Sequence, residues 1–170
     1  YRSLDGWKKF RKEETYIKIK GDKSKKIILK WSENGPILNK KTSQISDITP
    51  EGHEMALSWT MLSPKDTSIS ALISLTYPKD LSTALKALEK HVAPSLNYTI
   101  TDNQNIALQL AGRLPIRNAN HATKGRLPSL GYVKENRWLG YKPYNTNIRV
   151  INPNNGCLLY TSPSPRDRIS

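Results

Sequence analysis

Leu96-Asn97-Tyr98-Thr99-Ile100, Asp102-Asn103-Gln104-Asn105 and Ile106-Ala107-Leu108-Gln109-Leu110 are the successive stretches on which the fold of this 170-residue chain turns. Two runs rich in β-branched, aromatic and aliphatic residues flank four residues of Asx-turn chemistry, which reads as two strands around a tight turn. Immediately upstream, Leu81, Ala84, Leu85, Leu88 and Val92 recur at helical spacing. Asp80 stands where an N-cap belongs, and Pro94 is placed to end the helix. A helix feeding a strand pair predicts a mixed α+β architecture whose helical stripe packs as core.

Working toward the start of the chain, residues 13–20 alternate, with Thr15, Tyr16, Ile17 and Ile19 among charged neighbours. Gly21-Asp22-Lys23-Ser24 is turn-like, and residues 25–31 resume as a strand, a second hairpin signal. Gly35-Pro36 closes this unit, with a short third strand expected at Ile37-Leu38. Residues 39–52 read as a loop, Met55 to Trp59 as a buried strand, and 67–77 as a helix capped by Asp66. From Gly112 onward the chain is punctuated by Gly and Pro (Pro115, Gly125, Pro128, Gly131, Gly140, Pro143, Pro153, Gly156) and reads as a long extended loop.

Charge narrows the function less than it first suggests. The chain carries 27 Lys+Arg against 14 Asp+Glu, a formal net charge of +13. Ten basic and three acidic residues lie between Lys8 and Lys30. A basic module for nucleic acid or an anionic surface is therefore one reading. The lysines alternate with apolar residues, however, as on a strand with one wet face, and no aromatic RNA-recognition signature accompanies them. That makes nucleic acid the second reading; inward Ile17, Ile19, Ile28 and Trp31 would support a solvated lysine face. No apolar run approaches the roughly 18 residues of a membrane helix.

No self-sufficient catalytic constellation stands out. His53, His91 and His121 lack metal-ligand spacing, and His91 is expected to be exposed on the 81–92 helix. There is no phosphate loop or nucleophile elbow. Asp102 follows a strand, but an Asx turn accounts for it. The single cysteine, Cys157, can form neither an internal disulfide nor a metal cluster.

Several segments in order resemble the penicillin acylase (penicillin amidase) family of N-terminal-nucleophile hydrolases. They begin with Asp5-Gly6-Trp7, Glu13-Glu14-Thr15 and Gly35-Pro36-Ile37-Leu38, with Asn34 where the family usually has His. Ala56-Leu57-Ser58-Trp59-Thr60 follows, then Asn97 to Ile106, with Gln104 replacing a Gly. Gly112-Arg113-Leu114-Pro115-Ile116-Arg117, Trp138-Leu139-Gly140-Tyr141-Lys142-Pro143 and Asn152-Pro153-Asn154-Asn155-Gly156 complete the series.

The resemblance implies a fold in which this chain is a fragment of a four-layer αββα sandwich, supplying strand hairpins, one or two helices and the long loop. It implies amide hydrolysis by an N-terminal Ser absent from this chain, in a precursor that also yields an α chain. On that reading the chain is an interior fragment without catalytic residues, and inactive alone. Leu96 matches a position lining the acyl pocket. Gly125 matches a position whose carbonyl holds a structural calcium in some members, which have Pro there; the chemistry itself needs no cofactor. A periplasmic or secreted location and a small acyl-amide substrate are family expectations.

Residues 157–167, Cys-Leu-Leu-Tyr-Thr-Ser-Pro-Ser-Pro-Arg-Asp, match the translation of a transposase adapter used in sequencing libraries. The expected division is thus a partial hydrolase domain over 1–156 and a foreign tail over 157–170.

Overall fold

A computed structural model describes residues 1–40 and 45–158. The expected foreign tail falls, from residue 159 on, outside the described residues. The chain forms two compact units, one of residues 1–62 and 116–140, the other of residues 63–115 and 141 onward. Among the described residues no helix is long and apolar enough to cross a membrane.

The first unit opens with β1 (Arg2–Ser3) and β2 (Gly6–Trp7), a two-residue ladder closed by the Lys8 N–H to the Tyr1 carbonyl at 2.9 Å. β3 (Arg11–Ile17) and β4 (Lys25–Ser32) pair antiparallel, and β5 (Gly35–Pro36) adds to β4. The expected hairpin is present, but its third strand is Gly35-Pro36 itself. Ile37 forms only an isolated bridge with Ala56.

The hairpin register corrects the expected inward face. Glu14 stands opposite Ile28 and Thr15 opposite Ile27. Directly paired residues share a face, so Ile17 lies with Trp31, whereas Ile28 lies with Lys12, Lys26 and Lys30. Ile17, Ile19 and Ile28 are all exposed. Trp31 is half-buried, with the Arg11 guanidinium 4.1 Å from its ring centroid. Lys26 pairs with Glu14 at 2.7 Å on the lysine face.

Met55 to Trp59 is not a buried strand. Its backbone makes one bridge, at Ala56, and Trp59 is exposed. With only Pro36 and Met55 carbonyls answered across the gap, no ladder propagates. Among the described residues of the 39–52 loop, Ile45–Ile48 form one helical turn, α1.

The second unit is built on β6 (Leu96–Thr101) and β7 (Ile106–Ala111), antiparallel as the sequence predicts, with β10 (Arg149–Ile151) on the other side of β7. Register places Tyr98, Ile100, Ala107, Gln109 and Ala111 on one face. Ala107 and Ala111 are fully buried, and their small side chains let a helix approach closely. That helix is α3 (Leu81–Leu88), which buries Leu81, Ala84, Leu85, Ala87 and Leu88. Leu81, Leu85 and Ala107 form the core cluster, with Ile100 against it. At roughly 25 cal/mol per Å² of apolar surface, each buried Leu contributes about 2 kcal/mol.

Asp80 caps α3 as expected, accepting from the Thr83 N–H at 2.7 Å. The helix ends at Leu88, short of Val92, and the Val92 and Ala93 N–H groups donate instead to Ser68 at the start of α2 (Ser68–Ser74). Asp66 serves α2, accepting from the Ser68 N–H at 2.9 Å. The long loop after Gly112 is less open than its composition suggests. It contains β8 (Pro115–Arg117), β9 (Trp138–Tyr141), which pair with each other, and β10.

Candidate functional site

Leu96 starts β6 opposite Ala111 and is 45% exposed. Its place is fixed from both sides. Gly112 approaches the preceding residue so closely that a Cβ there would lie 2.7 Å from Ser95 Cα. Gly112 has a φ of +126°, which a side chain would strain. The Asn147 amide donates to the carbonyls of Leu110 and Gly112 at 3.1 and 3.0 Å, clamping the strand end. An apolar side chain held open on a rigid strand end is suited to contacting an apolar group.

Gly125 lies in the other unit, in the turn from His121 to Leu127. Thr123 closes that turn, its hydroxyl donating to the Leu127 carbonyl at 2.7 Å and accepting from the Gly125 N–H at 3.3 Å. His121 is buried and its Nδ1 accepts from the Thr123 N–H at 3.2 Å, a structural role. The surroundings are cationic. Lys124 and Arg126 flank Gly125, and a Cβ on Gly125 would lie 2.3 Å from Arg117 Nε. Calcium takes six to eight oxygen ligands, mostly carboxylates. Among the described residues no cluster of three His, Cys, Asp or Glu side chains could hold a metal. The described turn itself offers backbone carbonyls and cations but no carboxylate, so it does not by itself make a calcium site.

His91, expected on an exposed helix face, is buried at 2% exposure. It follows the end of α3, so its ring turns inward rather than out. Nε2 donates to the Pro94 carbonyl at 2.7 Å, and the ring meets Tyr98 edge-on with centroids 5.6 Å apart. Burial raises the Tyr98 phenol above its ordinary pKa. Ser68 lies in the same unit and is also buried. A Ser, an Asp and a His thus come together, but not wired as a triad. The Ser68 hydroxyl donates to Asp66 and accepts from the Val92 and Ala93 N–H groups, both at 2.9 Å. A serine bonded to its acid, with the histidine turned to a carbonyl, has no general base. Its role is to tie the start of α2 to the chain after α3. Sequence reasoning missed this knot because its members are 23 or more residues apart along the chain, apart from Asp66 and Ser68.

Around the basic hairpin, Lys8 bonds Asp5 and Glu33 at 3.1 and 3.0 Å, and Arg137 pairs with the same Glu33. The Arg137 and Lys8 cations hold the Glu33 carboxyl below the usual range. Asn34, which departs from the family His, is instead a stitch. Its carbonyl accepts from Ser58 Oγ at 2.6 Å and its amide reaches the Gly131 carbonyl at 3.5 Å.

Comparison with known proteins gives this framework a family. The penicillin amidase sequence profile matches residues 1–163. The acyl-homoserine lactone acylase QuiP of Pseudomonas aeruginosa strain PAO1 is 26% identical over 146 residues, 83% of this chain and 17% of that protein. QuiP of Pseudomonas putida strain KT2440 is 26% identical over 131 residues, 76% of this chain and 14% of that protein. In structure, the chain is similar to a thermostable penicillin G acylase from Alcaligenes faecalis, with a TM-score of 0.77 at 20% identity. That match covers 97% of this chain and 28% of the other. The chain therefore spans less than a fifth of the length of these curated relatives. The mixed α+β fold is that of a penicillin acylase, and the chain belongs to the penicillin amidase family.

Proposed function

We propose that this chain is framework from the β chain of an acyl-amide hydrolase and is inactive alone. The observation that carries the proposal is the family match over residues 1–163, joined to Ser68, Asp66 and His91 side chains whose hydrogen bonds are structural. The nucleophile is then an N-terminal Ser elsewhere in the parent, freed by cleavage of a zymogen into α and β chains. Its hydroxyl attacks the amide carbonyl, its own α-amino group takes the proton, and backbone and Asn donors stabilise the oxyanion. Leu96 contributes an apolar contact to the acyl group. The substrate is a small acyl amide, with acyl-homoserine lactones and penicillin-like amides as the two classes that the relatives' names suggest. A periplasmic or secreted location follows from the same reading.

The test uses the full-length parent and the 170-residue chain side by side, with an acyl-homoserine lactone and a chromogenic acyl anilide. The parent should release the amine, and replacing the first Ser of its β chain with Ala should abolish turnover. The isolated chain should do nothing. Turnover that survives the Ser replacement, or appears in the isolated chain, overturns the assignment. Tight nucleic-acid binding with a steep salt dependence, together with an inactive parent, would favour the basic-module reading.

A further inference from the structure

Residues 16–26 close the β3–β4 hairpin as Tyr-Ile-Lys-Ile-Lys-Gly-Asp-Lys-Ser-Lys-Lys, five lysines against one acid. Gly21, at a φ of +80°, turns the chain, and the Asp22 N–H donates to the Ile19 carbonyl at 3.3 Å. Asp22 directs its carboxylate to the Lys23 N–H at 2.6 Å. Lys18, Lys20, Lys23, Lys25 and Lys26 are all exposed. So are Tyr16, Ile17, Ile19 and Ile28, with Tyr16 at 60%. Tyr16 stands directly opposite Lys26, and Ile17 opposite Lys25. Apolar and cationic side chains therefore share each face of the hairpin end.

We propose that this hairpin end, residues 16–28, is a docking surface for an anionic lipid bilayer. Charge complementarity selects the partner. Another protein surface laid over the end would have to desolvate five lysines or answer most of them with carboxylates. A bilayer interface makes no such demand. Anionic headgroups take the ammonium groups, while the isoleucines and the tyrosine ring enter the apolar margin beneath them. Nucleic acid fits less well. No arginine occurs from Lys12 to Lys30 to fork onto phosphates or base edges. Isoleucine, moreover, has no face on which a base stacks. The proposal concerns binding and stands whether or not the parent hydrolyses amides.

The experiment sediments the full-length parent with vesicles of phosphatidylcholine alone, or mixed equally with phosphatidylglycerol, at low and high salt. The parent should bind the anionic vesicles only, and salt should weaken the binding. Lys18, Lys20, Lys23 and Lys25 should be readily acetylated in the free parent and protected on the vesicles. Lys18→Gln/Lys20→Gln/Lys23→Gln should lower the affinity about a hundredfold, at about fivefold per lysine. Ile17→Ser/Ile19→Ser should lower it about tenfold. Circular dichroism checks that both variants fold; if either does not, the acetylation pattern of wild type decides. Equal binding to both vesicles, binding to neither, or folded variants that bind like wild type overturns the proposal. Lysines that resist acetylation in the free parent overturn it too, since the rest of the parent then covers them. So does duplex DNA that displaces the vesicles and binds the isoleucine variant as tightly as wild type.

Discussion

The Asp102 carboxylate accepts a hydrogen bond from the Leu81 backbone N–H across 3.2 Å, so one side chain joins the β6–β7 turn to the first residue of α3. Its other oxygen accepts from the Gln104 and Asn105 N–H groups at 2.8 and 2.7 Å. These donors hold its pKa below the ordinary carboxylate value, with the Gln104 N–H the largest cause. A carboxyl whose pKa is lowered by folding contributes stability above its unfolded pKa and loses it as pH falls through the folded one. Asp102→Ala should therefore lower the unfolding midpoint by several degrees at neutral pH and flatten its decline on acidification. Asp102→Asn, which keeps one acceptor, should fall between. A pH-midpoint series on the three proteins checks the order.

Leu88 is fully buried where α3 meets its neighbours. Leu88→Ala removes packing that nothing can refill without a shift of the helix. The expected cost is about 2–5 kcal/mol, read from denaturant unfolding. A loss under about 1 kcal/mol would mean that the site collapses around the smaller side chain.

Among the glycines of the first unit, Gly35 has the least room. Its φ is +116°, and a Cβ would lie 2.0 Å from the Leu57 carbonyl oxygen. That carbonyl belongs to the segment bonded back through the Leu57 N–H to the Pro36 carbonyl at 2.9 Å. Gly35→Ala should cost at least about 1–3 kcal/mol from backbone strain alone. Amide exchange at Leu57 should rise more than exchange within β6 and β7.

His91→Ala should destabilise the second unit by about 2 kcal/mol, since it removes a buried ring and a donor to the Pro94 carbonyl. His91→Gln, which can still donate, should recover part of the loss. The amide hydrolysis proposed for the parent should not depend on the donor, which separates a structural histidine from a catalytic one.

What the sequence disclosed follows from the range of the interactions involved. The β6–β7 hairpin and α3 were legible because alternation, Asx-turn chemistry and the Asp80 cap all act within a few residues. The end of α3 was not, because the chain leaves the helix at Leu88 to meet Ser68, a partner more than 20 positions away. The same limit explains His91. β8, β9 and β10 are three or four residues long and exist only through distant partners, so composition alone read them as loop. The apolar run at Met55 misled in the other direction, having the pattern of a strand but one bridge to sustain it. Leu96 and Gly125 were visible only through motif likeness, because an exposed Leu and a turn Gly carry no chemical signal of their own. Whether the Lys8–Lys30 charges faced water was readable in part. The hairpin was evident, but its register, which puts Ile28 among the lysines, is set by pairing rather than by hydrophobic alternation.

The division into residues 1–62 with 116–140, and 63–115 with 141 onward, has a consequence for synthesis. Neither unit is a continuous length of polypeptide. During translation the first unit cannot close until Gly140 has left the ribosome, by which time the helices and the β6–β7 hairpin of the second have emerged and await only their edge strand. N-terminal domains commonly fold first as they appear. Here the interleaved order reverses that habit, and the later-starting unit is the one able to assemble most of its core early. A truncation at any single residue between 63 and 140 would leave at least one unit incomplete, so the pieces of this chain can be separated only by cutting it in more than one place.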